Sequence, residues 1–168
     1  MFSLPPILVL DVETTSADRE RAGVVEIGAI WLHASYGERQ GLWFEAKCRP
    51  RPGVEIEQEA LDVNGCTWLE DLTVPSEAEA LAAFAAWLGI SESKSGTESN
   101  IIIAGMNPGF DWHVVKNAWR SALPASLPWP FSFRTLDLHS LALNEALFWG
   151  VDVDNSGISS GKIYDMLG

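Results

Sequence analysis

Two acidic residues near the start of the chain could bind a cation together. Asp11 and Glu13 directly follow Ile7 to Leu10, an apolar run that predicts a strand buried on both faces at the centre of a sheet. Residues two apart in a strand point to the same side, so both carboxylates would share one face. Such close carboxylates repel each other, whereas a divalent metal ion would hold both ionised. An alternative stays open, in which the strand ends at Leu10 and the acids begin a solvated turn.

A third acid, Asp111, follows the apolar run Ile101 to Ala104 and a turn at Asn107 to Gly109. It falls in the first turn of a helix predicted over Phe110 to Arg120, where the helix dipole favours negative charge. A simple N-cap or first-turn role would also explain it. In an open α/β sheet, however, sites form at the carboxyl ends of strands, where both Asp11 and Asp111 would lie. The three acids can therefore converge on one site.

The elements that would position these acids alternate between strands and helices. Strands are predicted at Gly23 to His33 and Leu42 to Cys48, close enough to the first strand in sequence to form an antiparallel meander. The other predicted elements are a helix from Ser76 to Gly89 that begins with a capping box, a strand from Phe131 to Thr135, and helices from Asp137 to Trp149 and from Ile158 to Leu167. This order predicts a mixed α/β sheet with helices on both faces.

Composition restricts the class of protein. A chain of 168 residues that is 47% hydrophobic predicts one folded domain. Its net charge of −12 argues against an electrostatic coat on a nucleic-acid duplex. The sequence has no apolar run of the roughly 18 residues that a membrane span needs, so we expect no membrane partner. Two cysteines without a CxxC motif are typical of a reducing compartment, which predicts a cytoplasmic protein.

Several motifs occur in an order that resembles a known family. They are Asp11-Val12-Glu13-Thr14-Thr15, Val25-Glu26-Ile27-Gly28-Ala29, Asn107-Pro108-Gly109-Phe110-Asp111 and Thr135-Leu136-Asp137-Leu138. Together they resemble the DEDD exonucleases of the ribonuclease H-like superfamily, in particular the DnaQ-like group of polymerase proofreading subunits, ribonuclease T and oligoribonuclease. The resemblance runs from about Ile7 to Leu167. It implies a ribonuclease H-like fold and a single exonuclease-like domain over residues 1–168.

The resemblance also implies roles for individual residues. Asp11, Glu13 and Asp111 would be catalytic and would bind two divalent ions, Mg²⁺ or Mn²⁺, with Asp11 bridging them. The residues that the resemblance places beside the terminal nucleotide are Val12, Thr14, Thr15 and Phe110. The implied activity is that of a 3′ to 5′ exonuclease, which removes nucleoside monophosphates from single-stranded DNA or RNA. The 3′ end could reach it from a polymerase or another protein.

The sequence departs from this family at the third motif. That motif supplies a histidine base and, five residues later, a fourth acid, and the residues through Gly168 contain no match to it. We therefore expect the domain to end before this motif. Asp137 matches a helix-starting acid, for which an N-cap role is expected, and the helical position of His113 turns it about 200° from Asp111. Two hypotheses follow: an exonuclease with weak or no turnover from this segment alone, or a non-catalytic domain that binds a nucleic-acid end or a partner protein.

Two further residues have open roles. Glu26 lies on the second predicted strand, either near the acids or facing solvent. Trp112 adjoins Asp111, whereas the other tryptophans are scattered along the chain and are expected to be packing residues. Of the tryptophans, Trp112 alone is a candidate for contact with a substrate.

Overall fold

A five-stranded mixed sheet forms the centre of the molecule. The computed structural model describes residues 6–32, 43–92 and 100–148. The strands are β1 (Ile7–Thr14), β2 (Val24–Leu32), β3 (Trp43–Lys47), β4 (Ile101–Gly105) and β5 (Phe131–Asp137). They lie in the order β3, β2, β1, β4, β5. The first three are antiparallel, and β4 and β5 run parallel to β1, which confirms the predicted meander and mixed sheet.

The described helices pack around this sheet. They are α1 (Gln58–Asn64), α2 (Glu77–Trp87), α3 (Pro108–Ala122) and α4 (Leu138–Phe148). Side chains of α2 and α3, among them Phe84 and Val114, form one core cluster with Leu8, Leu10 and Ile27 of the sheet. None of these helices is long and apolar enough to cross a membrane. The helix predicted at Ile158 to Leu167 lies outside the described residues.

Strand β1 is central, as predicted, but its two faces differ in burial. Leu8, Leu10 and Val12 are buried against the helical layer, whereas Ile7 and Val9 are only half-buried. The predicted burial on both faces therefore holds for one face alone, because α2 and α3 pack on the side of the leucines. The strand also continues through Thr14, so the alternative in which it ends at Leu10 is wrong.

The start of α2 is anchored to the sheet by a buried ion pair. Ser76 forms the predicted capping box, and Glu77 follows it with a side chain that is only 1% exposed. Glu77 Oε1 accepts hydrogen bonds from the amide of Val24 at 2.8 Å and from Arg51 Nη1 at 3.0 Å. These contacts hold the beginning of α2 against the beginning of β2.

Candidate active site

Asp11 and Glu13 lie at the carboxyl end of β1, on the sheet face opposite Val12. Asp11 is exposed and Glu13 is half-buried, while Val12 between them is buried. The two carboxylates share a face because the strand extends past both of them. Glu26 lies directly across from Glu13 in the β1–β2 register, and so the side chain of Glu26 belongs to the neighbourhood of the acids.

Asp111 reaches β1 from the first turn of α3. Strand β4 pairs with β1 only as far as Val9, so the edge of β1 beyond Val9 is open to other partners. The amide of Val12 on this edge donates a hydrogen bond to Asp111 Oδ1 at 3.0 Å. Asp111 as a whole residue is only 5% exposed. The backbone between Asp11 and Glu13 thus holds the third acid beside them.

The turn between β4 and α3 allows this close approach. A Cβ atom at Gly105 would lie 2.9 Å from the carbonyl oxygen of Leu10, so only glycine fits there without a shift. Asn107 adopts a left-handed conformation with φ 55°, which asparagine tolerates better than most residues. Pro108 then begins the helix, and the side chain of Asn107 makes no capping bond. Asp111 lies in the first turn of α3, and Asn107 rather than Asp111 is the N-cap residue.

The acids perturb one another. Burial raises the pKa of Asp111 to about 6, the charges of Asp11 and Glu13 add to that rise, and the amide of Val12 opposes it. Burial also raises the pKa of Glu13, with further contributions from Asp11 and Glu26. Like charges held this close favour a bound cation.

The donor set fits a hard divalent cation in chemistry and charge. Carboxylate oxygens are the ligands that Mg²⁺ and similar ions take in proteins, and a cation would offset the repulsion among these acids. Within residues 6–32, 43–92 and 100–148, however, no three His, Cys, Asp or Glu side chains already form a group that could hold an ion. Oδ1 of Asp111 is also engaged by the amide of Val12. Metal binding would therefore require the acidic side chains to move closer together.

A pocket of about 480 Å³ adjoins the acids. Three of the predicted substrate-binding residues line it: Val12 and Thr14 from β1, and Phe110 from α3. The remaining lining residues are Glu13, Ser16, Ala17, Glu57, Glu59, Ala60, Val63 and Asn64. The wall from α1 was not predicted as part of the site, although the spacing of Ala60, Val63 and Asn64 is that of one helix face.

Thr15 lies behind the pocket and is fully buried. Its hydroxyl donates to the carbonyl of Glu55 and accepts from the amide of Gly23 at 2.9 Å. These bonds join the end of β1 to the start of β2 and to the segment before α1. Its predicted contact with a nucleotide is untested and stays a prediction. Next to it, the carbonyl of Thr14 accepts from Asn64 Nδ2 at 2.8 Å, which ties α1 to the end of β1.

His113 and Asp137 take the positions expected for residues outside the metal site. His113 Nε2 lies 2.8 Å from Glu20 Oε1, so its ring pairs with the β1–β2 loop. Asp137 starts α4, where its carboxylate accepts from the amide of His139 at 3.0 Å and from the hydroxyl of Ser140 at 2.6 Å. This confirms the predicted N-cap role of Asp137.

The sheet order and the acids at the end of its central strand define a class of protein, that of ribonuclease H-like nucleases. Within this class, the RNase T family model, described as exonuclease, matches residues 8–145. The chain therefore belongs to this DnaQ-like exonuclease family. A comparison with curated protein sequences finds no significant match.

Solved structures share the fold at low sequence identity. Exonuclease I from Methylocaldum szegediense is 23% identical with a TM-score of 0.64, and the match covers 92% of this chain and 33% of that one. Cell-death related nuclease 4 is 17% identical with a TM-score of 0.69, over 98% of this chain and 55% of that one. E. coli exonuclease I in complex with a 5cy-dA13 oligonucleotide is 19% identical with a TM-score of 0.65, and the match covers 94% of this chain and 34% of that one. The chain thus spans between a third and about half of the length of these proteins.

Proposed function

We propose that this domain is a metal-dependent 3′ to 5′ exonuclease that removes nucleoside monophosphates from single-stranded DNA or RNA. The hydrogen bond between Val12 and Asp111 carries this proposal, because it holds Asp111 against the strand that bears Asp11 and Glu13, beside a pocket. The volume of that pocket, about 480 Å³, lies within the range of roughly 300 to 1,000 Å³ of small-ligand sites.

In this proposal the pocket binds the terminal nucleoside and the acids bind the metal ions. The terminal nucleoside would enter the pocket, where Val12, Thr14 and Phe110 contact it. Glu13 belongs to both the pocket and the acid group, so the phosphodiester of that nucleotide would lie over the acids. Mg²⁺ or Mn²⁺ ions bound by Asp11, Glu13 and Asp111 would activate water and stabilise the leaving 3′ oxygen. The amide of Val12 holds Asp111 Oδ1 against β1, between the positions of the other two acids.

The structural relatives support nucleic acid as the ligand and leave room for a protein partner. Exonuclease I structures contain dA13 and dT13 oligonucleotides, and one is a complex named ExoI/SSB-Ct. For this chain we infer that the substrate is a single-stranded 3′ end. A polymerase or another protein that delivers the strand is the corresponding partner.

Labelled single strands test the activity and its direction. Because residues 1–168 contain no match to the third motif, we expect slow turnover. With Mn²⁺ and excess protein, a strand labelled at its 5′ end should shorten stepwise, and a 3′ label should leave in the first product as a mononucleotide. Asp11→Asn should reduce the rate by at least 100-fold, because it removes a ligand charge. Glu70→Gln, which changes an exposed acid after α1, is the matched control. Release of a 5′ label first, or equal rates in Asp11→Asn and wild type, would contradict the proposal.

A non-catalytic domain of the same family is the second candidate. It is favoured by the separation of the acids, since within the described ranges no three of the metal-ligating side chains are grouped for an ion. Such a domain would bind a labelled strand without shortening it in Mn²⁺, and Asp11→Asn would leave that binding unchanged. The same samples therefore distinguish the two functions.

A further inference from the structure

Three basic residues of this acidic protein lie on two neighbouring elements, α3 and β5. The chain has a net charge of −12, yet Lys116 and Arg120 lie one helical turn apart on α3. Arg134 lies on β5, the strand beside which α3 packs. In the part of the chain that the structure describes, Lys116, Arg120 and Arg134 form no ion pair with an acid.

Aromatic rings are interleaved with these cations. Lys116 Nζ lies 4.1 Å from the centre of the Trp112 ring, and Trp112 Nε1 donates to the carbonyl of Ser132 at 2.7 Å. Phe133 follows Ser132 and is 79% exposed, with the guanidinium of Arg134 5.3 Å from its ring centre. We call Trp112, Lys116, Arg120, Phe133 and Arg134 the basic seam.

A β-bulge in β5 contains Phe133 and Arg134, the two seam residues of that strand. The pairing of β4 with β5 shifts from Ile101–Phe131 to Ile103–Thr135, so β5 has extra residues between these pairs. Bulges at sheet edges redirect side chains, and here Phe133 and Arg134 both become exposed. Phe133 and Arg134 thus offer a solvent-exposed ring and a cation side by side.

The basic seam adjoins the acids at the start of α3, where Trp112 directly follows Asp111. Successive residues of a helix point about 100° apart, so Phe110, Asp111 and Trp112 diverge at the start of α3. Phe110 lines the pocket, Asp111 contacts β1, and Trp112 contacts β5. The pocket and the seam therefore flank Asp111 on opposite sides.

We propose that the basic seam binds the single strand behind its terminal nucleotide. Lys116, Arg120 and Arg134 contact successive phosphates, and a base stacks on the open face of Phe133. The cations neutralise a backbone that the rest of the acidic surface repels. This inference rests on the proposed function, because it takes the 3′ end to lie in the pocket.

Anisotropy of a 5′-fluorescein-labelled 12-nucleotide oligothymidine, measured in EDTA over a range of NaCl concentrations, tests the seam without hydrolysis. Lys116→Gln and Arg134→Gln should each weaken binding and lower the slope of log affinity against log salt by about 0.7. Phe133→Ala should weaken binding by about 5-fold or more at an unchanged slope. Lys47→Gln is the matched control, since Lys47 lies over Trp68 at the same 4.1 Å on the opposite edge strand β3.

The outcomes separate this inference from the proposed function. If the wild type binds the strand without hydrolysing it, and the seam variants bind it more weakly as expected, the exonuclease proposal is rejected and the seam proposal stands. Normal turnover with equal binding by Lys116→Gln, Arg134→Gln and Lys47→Gln would reject the seam and keep the exonuclease. Undetectable binding by the wild type would also overturn the seam. In an active enzyme, Lys116→Gln should raise KM for the 12-mer while leaving KM for a dinucleotide unchanged.

Discussion

The amide of Val12 and the carboxylate of Asp111 are joined by a 3.0 Å hydrogen bond across 99 positions of sequence. Val12 separates Asp11 from Glu13, so this bond places the third acid of the candidate site beside the other two. The same bond partly offsets the burial of Asp111, whose pKa still rises to about 6. The ionised form of Asp111 is therefore destabilised in the folded protein, by burial and by the nearby carboxylates.

Asp111→Asn should stabilise the metal-free protein at neutral pH. Because the folded pKa of Asp111, about 6, lies above its ordinary value of 3.8, the contribution of Asp111 to stability is full below pH 3.8 and is lost as the pH rises through 6. Asparagine keeps an acceptor for Val12 and carries no charge. Its advantage at pH 7.5 should reach up to about 3 kcal/mol and vanish near pH 4. Urea unfolding in EDTA at both pH values measures it, and an equal effect at both would contradict the prediction.

Mn²⁺ should stabilise the wild-type protein and should do so through the acids. At a concentration 100 times the dissociation constant, a bound ion adds about 2.7 kcal/mol, which raises Tm by roughly 5 to 11 °C in a protein of this size. Asp11→Asn and Asp111→Asn should lose most of this shift, and Glu70→Gln should retain it. Thermal melting with and without Mn²⁺ measures the shift. A full shift in both acid variants would show that the ion binds elsewhere.

Two glycines at the β4–α3 connection should respond oppositely to alanine. Gly105→Ala brings a methyl group to 2.9 Å from the carbonyl of Leu10, so we expect a loss of about 1 to 3 kcal/mol in unfolding free energy. Gly109 lies in α3 with no atom within 4 Å of its added Cβ, and alanine there should be neutral or stabilise by up to about 1 kcal/mol. Denaturant unfolding of both variants compares them. Similar values would show that the close approach of β4 to β1 does not require glycine.

Mutation of Arg51 should lower the free energy of unfolding more than mutation of its buried partner Glu77. Arg51→Met leaves the carboxylate of Glu77 buried without its cation, which typically costs about 3 to 5 kcal/mol. Glu77→Gln should cost less, because the amide oxygen still accepts from Val24 and Arg51 can reach water. Unfolding free energies of both single variants and the double variant measure the coupling. A larger loss for Glu77→Gln would contradict this account.

Filling the pocket should weaken substrate binding without affecting the metal. Ala60 lies in the α1 wall, so Ala60→Phe should raise KM by about 10-fold or more and leave the Mn²⁺-induced change in Tm unaltered. Ala83→Phe on the exposed side of α2 controls for the added ring. An unchanged KM in Ala60→Phe would place the terminal nucleoside outside this pocket.

Local signals predicted much of the fold and part of the site. Alternation of side chains along β1 placed Asp11 and Glu13 on one face, and the capping patterns at Ser76 and Asp137 marked two helix starts. These signals are encoded within a few residues, so the sequence displays them directly. The prediction that both faces of Ile7 to Leu10 are buried was wrong for the face of Ile7 and Val9, because burial depends on where helices pack.

Tertiary structure alone decided which distant residues meet. The bond of Val12 to Asp111, the position of Glu26 opposite Glu13, and the α1 wall of the pocket all depend on strand register and helix packing. No local pattern specifies these contacts, since each joins segments that are separated along the chain. The amino-acid sequence therefore determined which carboxylates could act together and on which elements they lie, whereas the folded chain determined their separation, their burial and their shared electrostatic strain.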